Sequence, residues 1–110
     1  MNLNVFERLL IRNIVPQIQG WNYAHLKEAR ELIEGLFTET EETDLQFEQD
    51  GTQVKWKVAK EDGTPIPQER DIPVSDGLKA KIGKFLKQLD KEERLGFEHM
   101  TLYGKFVETK

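Results

Sequence analysis

"LQFEQDGTQVKWKV", residues 45–58, decides the fold class. Apolar and polar residues alternate on both sides of an Asp50-Gly51 pair, the pattern of two strands joined by a tight turn. With Asp50-Gly51 at the centre of a type I′ turn, Gln49 faces Thr52, Phe47 faces Val54 and Leu45 faces Trp56. The large apolar groups then share one side, which Val58 continues, while Gln46, Glu48, Gln53, Lys55 and Lys57 share the other. One side wet and one side covered is the condition of a small antiparallel sheet packed on helices.

The helices lie on both sides of this hairpin in the sequence. Phe6, Leu9, Leu10 and Ile14 recur at helical spacing with Glu7, Arg8 and Arg12 off the stripe, so Leu3 to Ile14 reads as a helix capped by Asn4. Pro16 and Gly20 break the chain. Asn22 caps a second helix to about Leu36, with Leu26, Ala29, Ile33 and Leu36 inward. The short link makes the two a helical hairpin over about residues 3–36. Thr38 with Glu41 has the spacing of a capping box, which places the acidic run 39–44 at a helix start, where negative charge is favourable.

Beyond the hairpin, residues 61–70 read as a loop, and "RDIPV", residues 70–74, as a short strand that Pro73 confines to an edge. Ser75 caps a helix over about residues 76–89, with Leu78, Ile82, Phe85, Leu86 and Leu89 inward and Lys81, Lys84, Lys87 and Lys91 opposite. Gly83 weakens that helix by about 1 kcal/mol relative to alanine. A last helix, about residues 97–107, turns Met100, Tyr103, Phe106 and Val107 inward. The expected fold is a single α+β domain over 1–110: four or so helices packed on one face of a short antiparallel β-hairpin or three-stranded sheet.

Composition narrows the function classes. A chain of 110 residues with 37% apolar and 33% charged residues can bury one core and stay soluble. With no cysteine, disulfides, thiolate metal sites and cysteine nucleophiles are excluded. Glu7, Arg8 and Arg12 interrupt the first apolar stretch, which argues against a signal peptide, and no run approaches a membrane span. The expectation is a cytoplasmic protein. The net charge of −4 is a poor default for nucleic-acid binding, although residues 75–110 carry eight basic and six acidic groups.

The sequence has no phosphate loop, dinucleotide glycine fingerprint, nucleophile elbow or HExxH. His25 and His99 are the two histidines. His25 borders an apolar stripe and reads as a boundary residue. Glu98 and His99 are adjacent, so on a helix they point about a quarter-turn apart, whereas His99 and Tyr103 share a face. No catalytic residue, metal ligand or cofactor is therefore assigned.

The candidate interaction surface is Trp21, Glu48, Gln53, Lys55 and Lys57, and the candidate basic face is Lys81, Lys84, Lys87 and Lys91. Trp21 precedes a cap and is the more exposed of the two tryptophans by expectation, while Trp56 belongs to the sheet core.

With its elements placed, the chain resembles small uncharacterised proteins encoded by tailed phages and prophages. The likeness lies in "NVFERLLIRNIVP", "LKEARELIEGL", the tryptophan-containing hairpin and "LKQLDKEERLGFEHMTLYGKFV". The sequence departs from that pattern between Gln17 and His25, where the group has a more glycine- and threonine-like link. The resemblance implies a phage context and no catalytic residues. The expected function is a non-enzymatic protein-interaction module binding a host or phage protein in the host cytoplasm. The alternatives are a nucleic-acid-binding accessory protein using the lysine face, a self-associating virion or assembly component, and a small enzyme built on His99.

Overall fold

The computed structural model describes residues 1–51 and 53–108. The chain begins with β1 (Asn2–Asn4), α1 (Val5–Ile14) and a 3-10 turn (Val15–Gln17). Then come α2 (Tyr23–Gly35), α3 (Glu39–Leu45), β2 (Glu48–Asp50), β3 (Gln53–Lys55), β4 (Glu69–Asp71) and α4 (Asp76–Lys91). The C-terminal segment passes from a 3-10 turn (Phe97–His99) through α5 (Met100–Tyr103) into a π turn (Gly104–Glu108). The fold is α+β, with five α-helices and two separate two-stranded antiparallel sheets among the described residues.

Each of the longer helices starts at the residue whose side chain can satisfy its free N–H groups. Asn4 accepts from the Glu7 N–H at 2.7 Å, and Glu7 accepts from the Asn4 N–H at 3.0 Å. Thr38 and Glu41 form the same reciprocal pair at the start of α3. Asn22 accepts from His25 N–H, and Ser75 from Leu78 N–H.

The β-structure corrects two expectations. The segment near 70–74 does contain a strand, but β4 pairs with β1 and not with the hairpin, so there is no three-stranded sheet among the described residues. Its register sets Leu3 opposite Arg70, and Leu3 is fully buried. The helix expected from Leu3 accordingly begins at Val5.

In the hairpin, Asp50 pairs with Gln53, Gln49 with Val54 and Glu48 with Lys55. Asp50 therefore belongs to the last rung of the ladder and not to the turn, and Gly51 supplies the positive φ of 63°. Thr52, expected opposite Gln49, lies outside the described residues. The pairing slips by two places, so each residue keeps its side of the sheet. Phe47 now stands across from Trp56, edge to face with ring centroids 6.4 Å apart.

The expected strand span of 45–58 is too long at both ends. Leu45 closes α3, because Gln46 takes the left-handed conformation at φ 48° that ends the helix. Val58 is past the last rung and 63% exposed.

Two clusters of buried side chains organise the interior. The larger joins Leu3, Ile11, Ile14, Leu32, Leu36, Ile72, Leu78, Ile82, Leu86, Leu102 and Phe106. The smaller joins Val5, Leu45 and Ile66, with Leu9, Phe47 and Trp56 against it. Phe37 packs on both.

The expected inward face holds throughout α4, and in α2 and the C-terminal segment it holds except at Leu26 and Met100. Ala29, Leu36 and Phe106 are buried, and Ile33, Tyr103 and Val107 pack on the larger cluster. Leu78, Ile82, Leu86 and Leu89 of α4 are buried, and the helix runs two residues beyond the expected Leu89. In α2 the buried line is Ala29, Leu32 and Leu36, and Leu26 is half exposed. In the C-terminal segment Leu102 and Phe106 face in, while Met100 and Phe97 face out. The single helix expected over 97–107 is broken into three geometries.

The largest departure is α1. It buries Val5, Glu7, Arg8, Ile11 and Ile14 and leaves Phe6 42% exposed, a rotation of roughly a third of a turn. Burying a charged pair of neighbours costs several kcal/mol per unpaired ion. Here both charges are met.

Candidate functional site

Arg8 and Glu7 fix the orientation of α1. Arg8 Nη1 donates to Glu41 Oε2 at 2.6 Å and to the Leu36 carbonyl at 2.9 Å, and Nη2 donates to the Gln68 carbonyl at 3.1 Å. Its guanidinium also stacks 4.6 Å from the centre of the Phe37 ring. Arg70 reaches the other oxygen of Glu41 at 3.0 Å and shares the Leu36 carbonyl. Glu7 accepts from Lys105 Nζ at 2.7 Å, and the same ammonium donates to the Asn2 carbonyl.

The glutamates of both capping boxes therefore hold distant cations as well as their own helix starts. Burial pushes each carboxyl up, but the groups around it outweigh burial. Asn4, Lys105 and Thr101 hold Glu7 below its ordinary value. Arg8, Thr38 and Arg70 do the same for Glu41.

With Glu7 and Arg8 turned inward, the opposite side of α1 is only partly covered: Phe6 is exposed, and Leu9 and Leu10 are half-buried against the two clusters. Phe6, Leu9, Leu10, Arg12 and Asn13 form the floor of a groove of about 750 Å³. Gln49, Gln53, Val54 and Trp56 of the hairpin make one wall, and Glu98 lines it from the C-terminal turn. Trp56 Nε1 donates to Gln68 Oε1 at 2.9 Å, so its polar atom is satisfied and its ring faces the groove as apolar surface. Arg12 lies 5.6 Å from the centre of the Phe37 ring and makes no ion pair among the described residues.

Beside this groove the turn that carries Glu98 also carries Phe97, 94% exposed, and Met100, 73% exposed. They border a smaller depression of about 420 Å³ lined by Leu95, Gly96, His99, Tyr103 and Glu108. His99 Nδ1 accepts the Gly96 N–H at 3.0 Å, so the imidazole serves the start of the turn. Glu98 Oε1 is 3.9 Å from the same nitrogen, whose lone pair is already engaged. Partial burial, and then the neighbouring Asp90 carboxylate, push the Tyr103 hydroxyl up. His25 packs its ring on Gly77 in the first turn of α4, with Nε2 3.0 Å from where a Cβ would stand.

The residues singled out from sequence do not form one surface. Glu48, Gln53, Lys55 and Lys57 are all exposed on the hairpin, and Glu48 stands opposite Lys55. Gln53 borders the groove, while Lys57 lines a shallow depression with Thr43, Asp44, Gln46 and Lys60. Trp21 is partly buried against the larger cluster and lines a third depression with Pro16, Leu26 and Ile33.

Lys81 leaves the basic face, because its ammonium donates to the Gly20 carbonyl and sits 5.0 Å from the centre of the Trp21 ring. Lys84, Lys87 and Lys91 stay exposed along α4. In the acidic run, Glu41 is committed to Arg8 and Arg70, and Asp44 faces Lys60 at 3.9 Å.

Sequence reading missed Phe6, Leu9, Leu10, Arg12 and Glu98 as groove residues. One signal was present. Six of the ten residues of α1 are apolar and they spread around more than one face, which is more than one core stripe can hide.

No protein-family model matches the chain, and neither a curated protein nor a solved structure does. No described helix is long and apolar enough to cross a membrane, and no group of three or more potential metal ligands occurs among the described residues.

Proposed function

We propose that this chain is a non-enzymatic protein-interaction module that binds its partner at the groove between α1 and the hairpin. One observation carries the reading. An apolar patch of Phe6, Leu9 and Leu10 lies open in the groove, and the turn that supplies Glu98 to the groove also carries two nearly free apolar side chains, Phe97 and Met100. Apolar centres with polar rims are the anatomy of protein interfaces, and contiguous exposed apolar surface is unusual on a chain that meets only water. No cofactor enters this reading. The resemblance to phage and prophage proteins supplies its setting, a host or phage protein met in the host cytoplasm.

The nucleic-acid alternative is weaker than the sequence made it, because Lys81 is engaged and three lysines are left in the row. Three phosphate contacts give a shallow salt dependence and weak binding. The interaction reading is tested by capture from lysate with the intact chain and with a Phe6→Ser, Met100→Ser chain in parallel. Proteins held by the first and lost by the second support it. Equal capture by both refutes it, as does capture by neither when the chain is also monomeric in solution.

A further inference from the structure

We propose that the groove takes a second copy of this chain, in a two-fold exchange: Phe97 of each copy enters the groove of the other, and Glu98 of each meets Arg12 of the other. This rests on the interaction reading and names its partner. A two-fold interface uses the same patch on both copies, so that patch must carry a projection, a recess and complementary charges together.

This surface has all three. Phe97 is 94% exposed on the turn whose next residue, Glu98, lines the groove, so one short segment carries both the projection and a wall of the recess. The recess is floored by Phe6, Leu9 and Leu10, an apolar bed suited to a phenyl ring.

The charges are matched within the patch. Among the described residues Arg12 has no carboxylate partner. The nearest basic atom to Glu98 is a His99 nitrogen 3.9 Å away that already accepts a backbone N–H. Among the described residues that line the groove, Arg12 is a cation without a carboxylate and Glu98 a carboxylate without a cation, and a symmetric pair satisfies both. Asn13, Gln49 and Gln53 line the groove with amides that both donate and accept, so they suit a partner with the same groups. An interface of ordinary size takes roughly 800 Å² from each partner, about a tenth of the 7581 Å² surface of this chain. Two-fold exchange closes on itself and yields a dimer instead of a fibre.

The test is sedimentation velocity on the full chain from about 1 to 500 μM, a range that spans Kd values typical of modest interfaces. A dimer is expected, with Phe97→Ser weakening it by at least ~30-fold, as loss of a central anchor does. Far-UV dichroism of that variant should be unchanged, since its side chain lies outside both buried clusters.

Arg12→Glu and Glu98→Arg should each weaken the dimer by roughly 10-fold, and the double exchange should restore it to within about 3-fold. A monomer throughout the range, a dimer indifferent to Phe97→Ser, or a double exchange that fails to restore association overturns the proposal. A monomer that still captures a lysate protein through the groove overturns only the second copy as occupant. A monomer with no groove-dependent partner overturns the interaction reading with it.

Discussion

Arg8→Met removes the one guanidinium that ties the start of α1 to three other segments. The methionine is apolar and of similar length, so the cavity cost is small and the polar cost dominates. The substitution takes a donor from the Gln68 carbonyl, one of two donors from the Leu36 carbonyl, and the 2.6 Å partner from Glu41. Arg70 still holds Glu41 at 3.0 Å, so that carboxylate is not left without a cation. Breaking one side of a buried ion pair usually costs about 3–5 kcal/mol, and the surviving Arg70 places the expectation at the lower end, about 3 kcal/mol.

Domains are stable by about 5–15 kcal/mol, so the urea midpoint should fall substantially while the slope of the transition stays near the parent value. Arg8→Met with Glu41→Leu should recover part of the loss, because neither half of the pair is then stranded. A single variant within about 1 kcal/mol of the parent would refute the claim that the paired Arg8 sets the rotation of α1.

Three further outcomes follow from the same contacts. Lys105→Met should cost about 1–3 kcal/mol in urea unfolding and raise amide exchange across residues 100–108, since Glu7 loses the ammonium 2.7 Å away; unchanged exchange there would contradict it. Glu7 and Glu41 are both held below their ordinary values, so their contribution is fully present above the normal glutamate range. It is lost as pH falls from about 4.5 through the folded values, and urea midpoints measured from pH 7 to 3 should show that decline, shallower in Glu7→Gln. Gly83→Ala should lower Tm although alanine favours helix by about 1 kcal/mol, because its Cβ would stand 3.0 Å from the Phe106 carbonyl; a raised Tm would show that the C-terminal segment yields.

Features set by neighbours in the chain could be read from sequence. Asn4, Asn22, Thr38 and Ser75 all cap where expected, because capping depends on a donor and an acceptor three residues apart. Between Phe47 and Trp56 the sides of the hairpin match the expectation although the register differs, since a slip of two preserves alternation; Leu45 and Val58 fall outside the ladder.

Features set at a distance could not be read. Glu7 and Arg8 looked solvent-facing because their partners, Lys105 and Glu41, lie 98 and 33 residues away. Burying them swung Phe6 outward and opened a groove that no local periodicity foretells. The segment expected as one helix over 97–107 is likewise tied at a distance, with Lys105 held by Asn2 and Glu7. Of the interaction residues expected from sequence, Gln53 alone borders the groove.

The pairing of β1 with β4, and the reach of Lys105 to the Asn2 carbonyl, have a kinetic side. Residues 2–4 meet partners 65 to 69 positions on, and Asn2 meets one 103 positions on. Such contacts close long loops, so their entropy is expected to be lost late and their contribution to the folding transition state to be small. Weakening this clasp should leave the folding rate nearly untouched and quicken unfolding. How long the native chain persists, as distinct from how readily it forms, is then governed where β1 meets β4 and Lys105.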